Sequence, residues 1–183
     1  MARFDITQVR INVAGGQPFF VEAHCTTRSE RLNEVVNVSL GSIAVYAYDL
    51  AAVRRFATAW RAAIGFAPRV VPEVAASTAG PDEDRKHAGL ILRVAGAISP
   101  YRVIGIPAGA SPNGVPHVRV ELGRLVVHAF DAAAIRSWTR AWDDAEKLAL
   151  RLWPERDAFD LAEERERAQI ARTGRARTPR KDA

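Results

Sequence analysis

From residue 38 to residue 63 the chain first alternates apolar and polar positions with a period of two and then changes to helical spacing. Val38, Leu40, Ile43, Val45 and Ala47 take every second position on either side of Gly41-Ser42, a pair of the kind that closes a two-residue β-hairpin. Past Asp49, the residues Val53, Phe56, Ala57, Trp60, Ala63 and Ile64 recur at three- and four-residue intervals and form the single stripe of an amphipathic helix. Asp49 stands where a side-chain oxygen can accept from the unpaired N–H groups of the first helical turn, a cap worth about 1 kcal/mol.

The pattern returns 82 residues later. VSLGSIAVYAYDLAAVRRFATAWRAA at 38–63 and VELGRLVVHAFDAAAIRSWTRAWDDA at 120–145 agree at 12 of 26 positions without a gap. Five of those agreements are alanines. Leu40/Leu122, Gly41/Gly123, Asp49/Asp131, Arg54/Arg136 and Trp60/Trp142 are less easily supplied by composition, and tandem duplication is the better account. The second hairpin turns at Gly123-Arg124 between Val120, Leu122, Leu125, Val127 and Ala129. Its helix runs through Ile135, Trp138, Trp142, Ala145, Ala149 and Leu152 and stops by Pro154. The tryptophans read as core anchors.

Two more strand-like segments precede each hairpin, at 6–13 and 19–23 and again at 90–94 and 101–106, with Val-Ala-Gly at 13–15 echoed at 94–96. Each copy therefore reads β-β-β-β-α. The predicted fold class is α+β: two pseudo-symmetric repeats, at 3–66 and 88–153, whose antiparallel sheets pack with two amphipathic helices into one domain at 1–154. Residues 67–87, with their prolines and mixed charges, read as a linker, and 107–116 as a hairpin loop. Beyond Pro154 a charged helix and a basic tail are expected over 155–183.

Composition narrows the functional classes. The net charge of +5 is concentrated at the end, because RTGRARTPRKDA at 172–183 holds five basic residues and one acidic, a net of +4. Basic charge is almost all arginine, with lysine only at Lys86, Lys147 and Lys181; together with abundant alanine this suggests a GC-rich bacterial genome. Cys25 is the one cysteine, so an intramolecular disulfide is excluded, and the four histidines lack the close spacing of zinc motifs, so no metal is expected. No apolar run is long enough to cross a bilayer and MARFDITQVR lacks a signal-peptide pattern, which leads to the expectation of a cytoplasmic protein.

No enzyme and no cofactor are expected. Asp49 and Asp131 stand at cap positions, Ser39, His24, His87 and Cys25 have no partner at catalytic spacing, and no glycine-rich phosphate-binding turn is present. The last strand of each repeat nevertheless has an aromatic side opposite its aliphatic one. Tyr46 and Tyr48 form it in the first copy, His128 and Phe130 in the second. Bases stack on such rings, and Arg102, Arg119 and Arg124 on adjoining strands or turns would follow the phosphates, with Arg175, Arg177 and Arg180 of the tail adding sequence-independent attraction.

In the order of its elements, over roughly residues 3–153, the chain resembles the Whirly and PUR-alpha type of single-stranded nucleic-acid-binding proteins, in which two β-β-β-β-α repeats form one unit. The resemblance implies a sheet surface that holds single-stranded DNA or RNA, and no binding residue is carried over from it. The leading expectation is a non-enzymatic DNA- or RNA-binding protein. The alternative has the same rings packing against the sister repeat or another chain, as in a protein-interaction module or a self-associating adaptor.

Overall fold

The computed structural model describes residues 8–28, 31–74, 89–96 and 101–154. In chain order the elements are β1 (Val9–Val13), β2 (Phe19–Arg28), β3 (Arg31–Leu40), β4 (Ile43–Ala47), α1 (Leu50–Ile64), α2 (Ala67–Val70), β5 (Leu90–Val94), β6 (Arg102–Ile106), β7 (His117–Leu122), β8 (Leu125–Ala129) and α3 (Ala132–Leu152). The eight strands form two four-stranded sheets, ordered β1-β8-β7-β6 and β2-β3-β4-β5. The protein is thus α+β. The short α2 falls at the start of the predicted linker, where Pro68 occupies a first-turn position that tolerates it. Residues 155–183, the expected charged helix and tail, lie outside the described residues.

Both predicted hairpins form. Gly41 and Gly123 take left-handed backbone, with φ of +56° and +60°, and the strands pair outward from Leu40 opposite Ile43 and from Leu122 opposite Leu125. The aliphatic positions Val38, Leu40, Val45 and Ala47, and likewise Val120, Leu122, Val127 and Ala129, are buried in one core.

The sheets themselves differ from the prediction. Neither is antiparallel throughout, and neither is built from the four strands of one predicted repeat: one joins β1 to β6, β7 and β8, the other joins β5 to β2, β3 and β4. β1 runs parallel to β8, with Val9 opposite Leu125, while β5 runs parallel to β4, with Leu90 opposite Ile43. The first strand of each half has crossed to the sheet of the other. A physical reason is visible in the chain itself: adjacent parallel strands need a crossover long enough to carry a helix, and α1 lies between β4 and β5.

The helices cross over as well. α1 follows β4 but lies mainly against β6 and β7; α3 follows β8 but lies against β2 and β3. The helices also pack on each other, which puts them between the two sheets. At their contact Phe56 stacks on Trp142 with centroids 4.2 Å apart, and Trp60 meets Trp138 at 4.7 Å. All four rings are fully buried. Thr139 Oγ1 donates to the carbonyl of Trp60 at 3.2 Å, tying one helix backbone to the other helix.

One carboxylate at each strand-to-helix junction joins the halves. Asp131 Oδ1 accepts from Ala134 N at 2.7 Å and caps α3, while its Oδ2 accepts from Gly15 N at 2.6 Å, just past the end of β1. Asp49 likewise accepts from Ala52 N at 2.8 Å at the start of α1 and from Gly96 N just past β5. The chain turns away after each exchanged strand at these two glycines, with φ of +72° and +73°, a region that glycine enters without steric cost.

Replacing Asp131 therefore removes a helix cap and a clamp together. Asp131→Ala is expected to lower stability by about 2 to 4 kcal/mol in urea unfolding followed by circular dichroism. Asp131→Asn should recover little, since an amide presents N–H to one of two groups that are themselves donors. A loss under about 1 kcal/mol would mean that these two donors find other acceptors.

Candidate nucleic-acid interface

In the β1-β8-β7-β6 sheet, Ile11, Val13, Val118, Val120, Val127 and Ala129 face the helices, so the intervening residues face outward. Strand register arranges those outward residues in rows. Nearest the β7–β8 turn lie Arg10, Val126, Glu121 and Arg102, one from each strand. The next row is Asn12, His128, Arg119 and Ile104. Beyond it, Phe130 follows the end of β8 beside His117 at the start of β7, and Ile106 pairs with His117 across β6. Arg124 sits in the turn itself, and its carbonyl accepts from Val9 N at 2.8 Å, anchoring β1.

The rings form a connected group. His117 lies 4.8 Å from His128 and 5.4 Å from Phe130, centroid to centroid, and each of those rings is tilted against it. His117 is buried, and its Nδ1 donates to the Val115 carbonyl at 3.1 Å. Burial pushes the pKa of His128 down, and the neighbouring His117, Arg119 and Arg10 push it further the same way. Near neutral pH His128 is therefore an uncharged ring, suited to stacking, within a cationic surround. Arg119 Nε lies 2.9 Å from Glu121 Oε1, so one of the arginines is held flat along its own strand.

Of the residues singled out in the sequence, Arg102, Arg119, Arg124, His128 and Phe130 meet on this one sheet. Tyr46 and Tyr48 do not join them. They lie on the outer side of the β2-β3-β4-β5 sheet, across the helical layer, where Tyr46 pairs with Asn37 and Arg93 and lies 6.5 Å from the ring of His24. Arg175, Arg177 and Arg180 lie outside the described residues. Two members of the surface, Arg10 and His117, were not anticipated. Arg10 alternates with Val9 and Ile11 in an evident strand pattern, but its relevance depends on β1 lying beside β8, which no local signal reveals.

No family model matches this chain, and no curated protein or solved structure matches it either. Among the described residues, no helix is long and apolar enough to cross a membrane.

Proposed function

We propose that this protein binds single-stranded DNA or RNA, without catalysing a reaction, on the outer face of the β1-β8-β7-β6 sheet. The observation that carries the reading is that Arg10, Arg102 and Arg119, with Arg124 in the adjoining turn, share one sheet face with His128 and Phe130, and that Glu121 is the one carboxylate in those rows. Arg10 and Arg102 stand on opposite edge strands, about 14 Å apart at ordinary strand spacing, so cations flank a surface with rings at one end. Unpaired bases can lie on those rings for about 1 to 3 kcal/mol each, whereas the bases of a duplex are already stacked. The arginines of the tail would add attraction for any phosphate backbone.

The reading goes with a second one, that the halves are β-β-β-β-α repeats of the Whirly and PUR-alpha kind. Support comes from residues 82 apart that hold matching places: Gly41 and Gly123 in the turns, Asp49 and Asp131 at the caps, Phe56 and Trp138 between the helices.

Fluorescence anisotropy with a labelled oligonucleotide of about 20 nucleotides, titrated at several salt concentrations, tests the function. Arg10→Ala combined with Arg102→Ala is expected to reduce the steepness of the log affinity against log salt plot by about 1.4, as two lost phosphate contacts on a single strand would. Phe130→Ala should weaken binding about five- to a hundredfold and leave that slope alone. If the intact chain binds no oligonucleotide at about 10 μM in low salt, the function is lost.

A further inference from the structure

The outer side of the other sheet has a different character. Phe20 on edge strand β2 and Ile91 on edge strand β5 are 60% and 61% exposed, the two ends of one row whose middle is Ser39 and Ala44. In the adjacent row Glu22 stands on β2 and Arg93 on β5, with Asn37 and Tyr46 between them. Large apolar groups at both edges, small residues at the centre, and opposite charges at opposite ends make a surface that is complementary to itself.

We propose that this face is the contact surface for a second copy of the same chain. A twofold axis parallel to the strands, passing over the gap between β3 and β4, keeps each row in place and reverses its order. Phe20 then meets Ile91 of the second copy, Glu22 meets its Arg93, and Ser39 and Ala44 let the two sheets approach to the ordinary face-to-face spacing of about 10 Å. Each of these contacts occurs twice.

The charged groups are set for it. Asn37 Nδ2 donates to Glu22 Oε1 at 3.0 Å, and His24 Nε2 lies 2.6 Å from the same oxygen. The carboxylate is thus held on the face, with Oε2 turned to neither of those partners. Arg93 is exposed and forms no ion pair among the described residues. A phosphate backbone is a poorer occupant than a second copy, because these two rows carry one arginine, Arg93, and a carboxylate whose hydrogen bonds from Asn37 and His24 hold it ionised.

Sedimentation velocity on the full chain at about 50 μM is expected to show a dimer that dissociates on dilution. Glu22→Arg sets arginine against arginine across the axis and Arg93→Glu sets glutamate against glutamate, so each variant alone should dimerise at least about tenfold more weakly. Mixed together they should form a one-to-one heterodimer, since both facing pairs are again opposite in sign. Ile91→Asp, a change at an exposed edge position, should give a folded monomer by circular dichroism. A chain that is monomeric at that concentration overturns the proposal. So does a dimer that survives both charge reversals and Ile91→Asp, because the chain would then associate through another face. The oligonucleotide measurement uses the opposite sheet, so either result can fail without the other.

Discussion

Two fragments, residues 1–80 and 81–183, are expected to be unfolded apart and to assemble into the native structure when mixed. The reason is the exchange of strands and helices. The first fragment holds β2, β3 and β4 but lacks β5, which closes their sheet, and lacks α3, which covers β2 and β3. The second holds β6, β7 and β8 without β1 beside them and without α1 over β6 and β7. Each fragment alone would leave one side of a three-stranded sheet uncovered and the apolar stripe of its helix without its proper partner. A domain of this size is ordinarily stable by only about 5 to 15 kcal/mol, which cannot survive losing half of the core. Circular dichroism melts of the separate and mixed fragments provide the measurement, and a cooperative transition in either fragment alone would contradict the interlocked architecture.

The largest effect from a single side chain is expected at Trp142. Its indole stacks on Phe56 at 4.2 Å and is fully buried between the helices, so Trp142→Ala should cost about 3 to 5 kcal/mol in urea unfolding. Trp142→Phe should cost much less. The Nε1 of Trp142 has no acceptor among the described residues, so phenylalanine keeps most of the ring contact and removes an unpaired buried donor. Trp60, which meets Trp138 at 4.7 Å, should respond to the same two substitutions in the same way. A pair in which alanine and phenylalanine cost equally would show that the polar edge of the indole, and not its area, is what the core uses. Unfolding should be followed in the far ultraviolet, because removing an indole changes the fluorescence directly.

Local signals were legible in the sequence to the extent that local physics determines them. The glycines at 41 and 123, the capping aspartates at 49 and 131 and the helical stripes through Trp60 and Trp142 all act within a few residues of themselves, and each is found in its expected role. Alternation also identified which side of β4 and β8 turns inward. It could not say which strands lie side by side, because a period of two is the same whether a neighbour runs parallel or antiparallel and whether it comes from the same half or the other. The exchange of β1 and β5 was therefore missed. Arg10 was hidden for that reason, since it stands next to Val126 only because β1 lies beside β8. The second function of the aspartates was hidden for the same reason, since Gly15 is 116 positions from Asp131.

The sharing of aspartates between helix start and strand end bears on how the molecule can move. Opening the β1 edge breaks the Gly15 contact and releases one oxygen of the group that begins α3; α3 in turn shields β2 and β3 of the remote sheet. Fraying at either border is thereby transmitted to the opposite side of the molecule, and the usual ladder of partial openings contracts toward a single all-or-none event. Such a protein has few half-open forms in which its apolar interior meets solvent, and its outer surfaces rest on a frame that yields only as a whole.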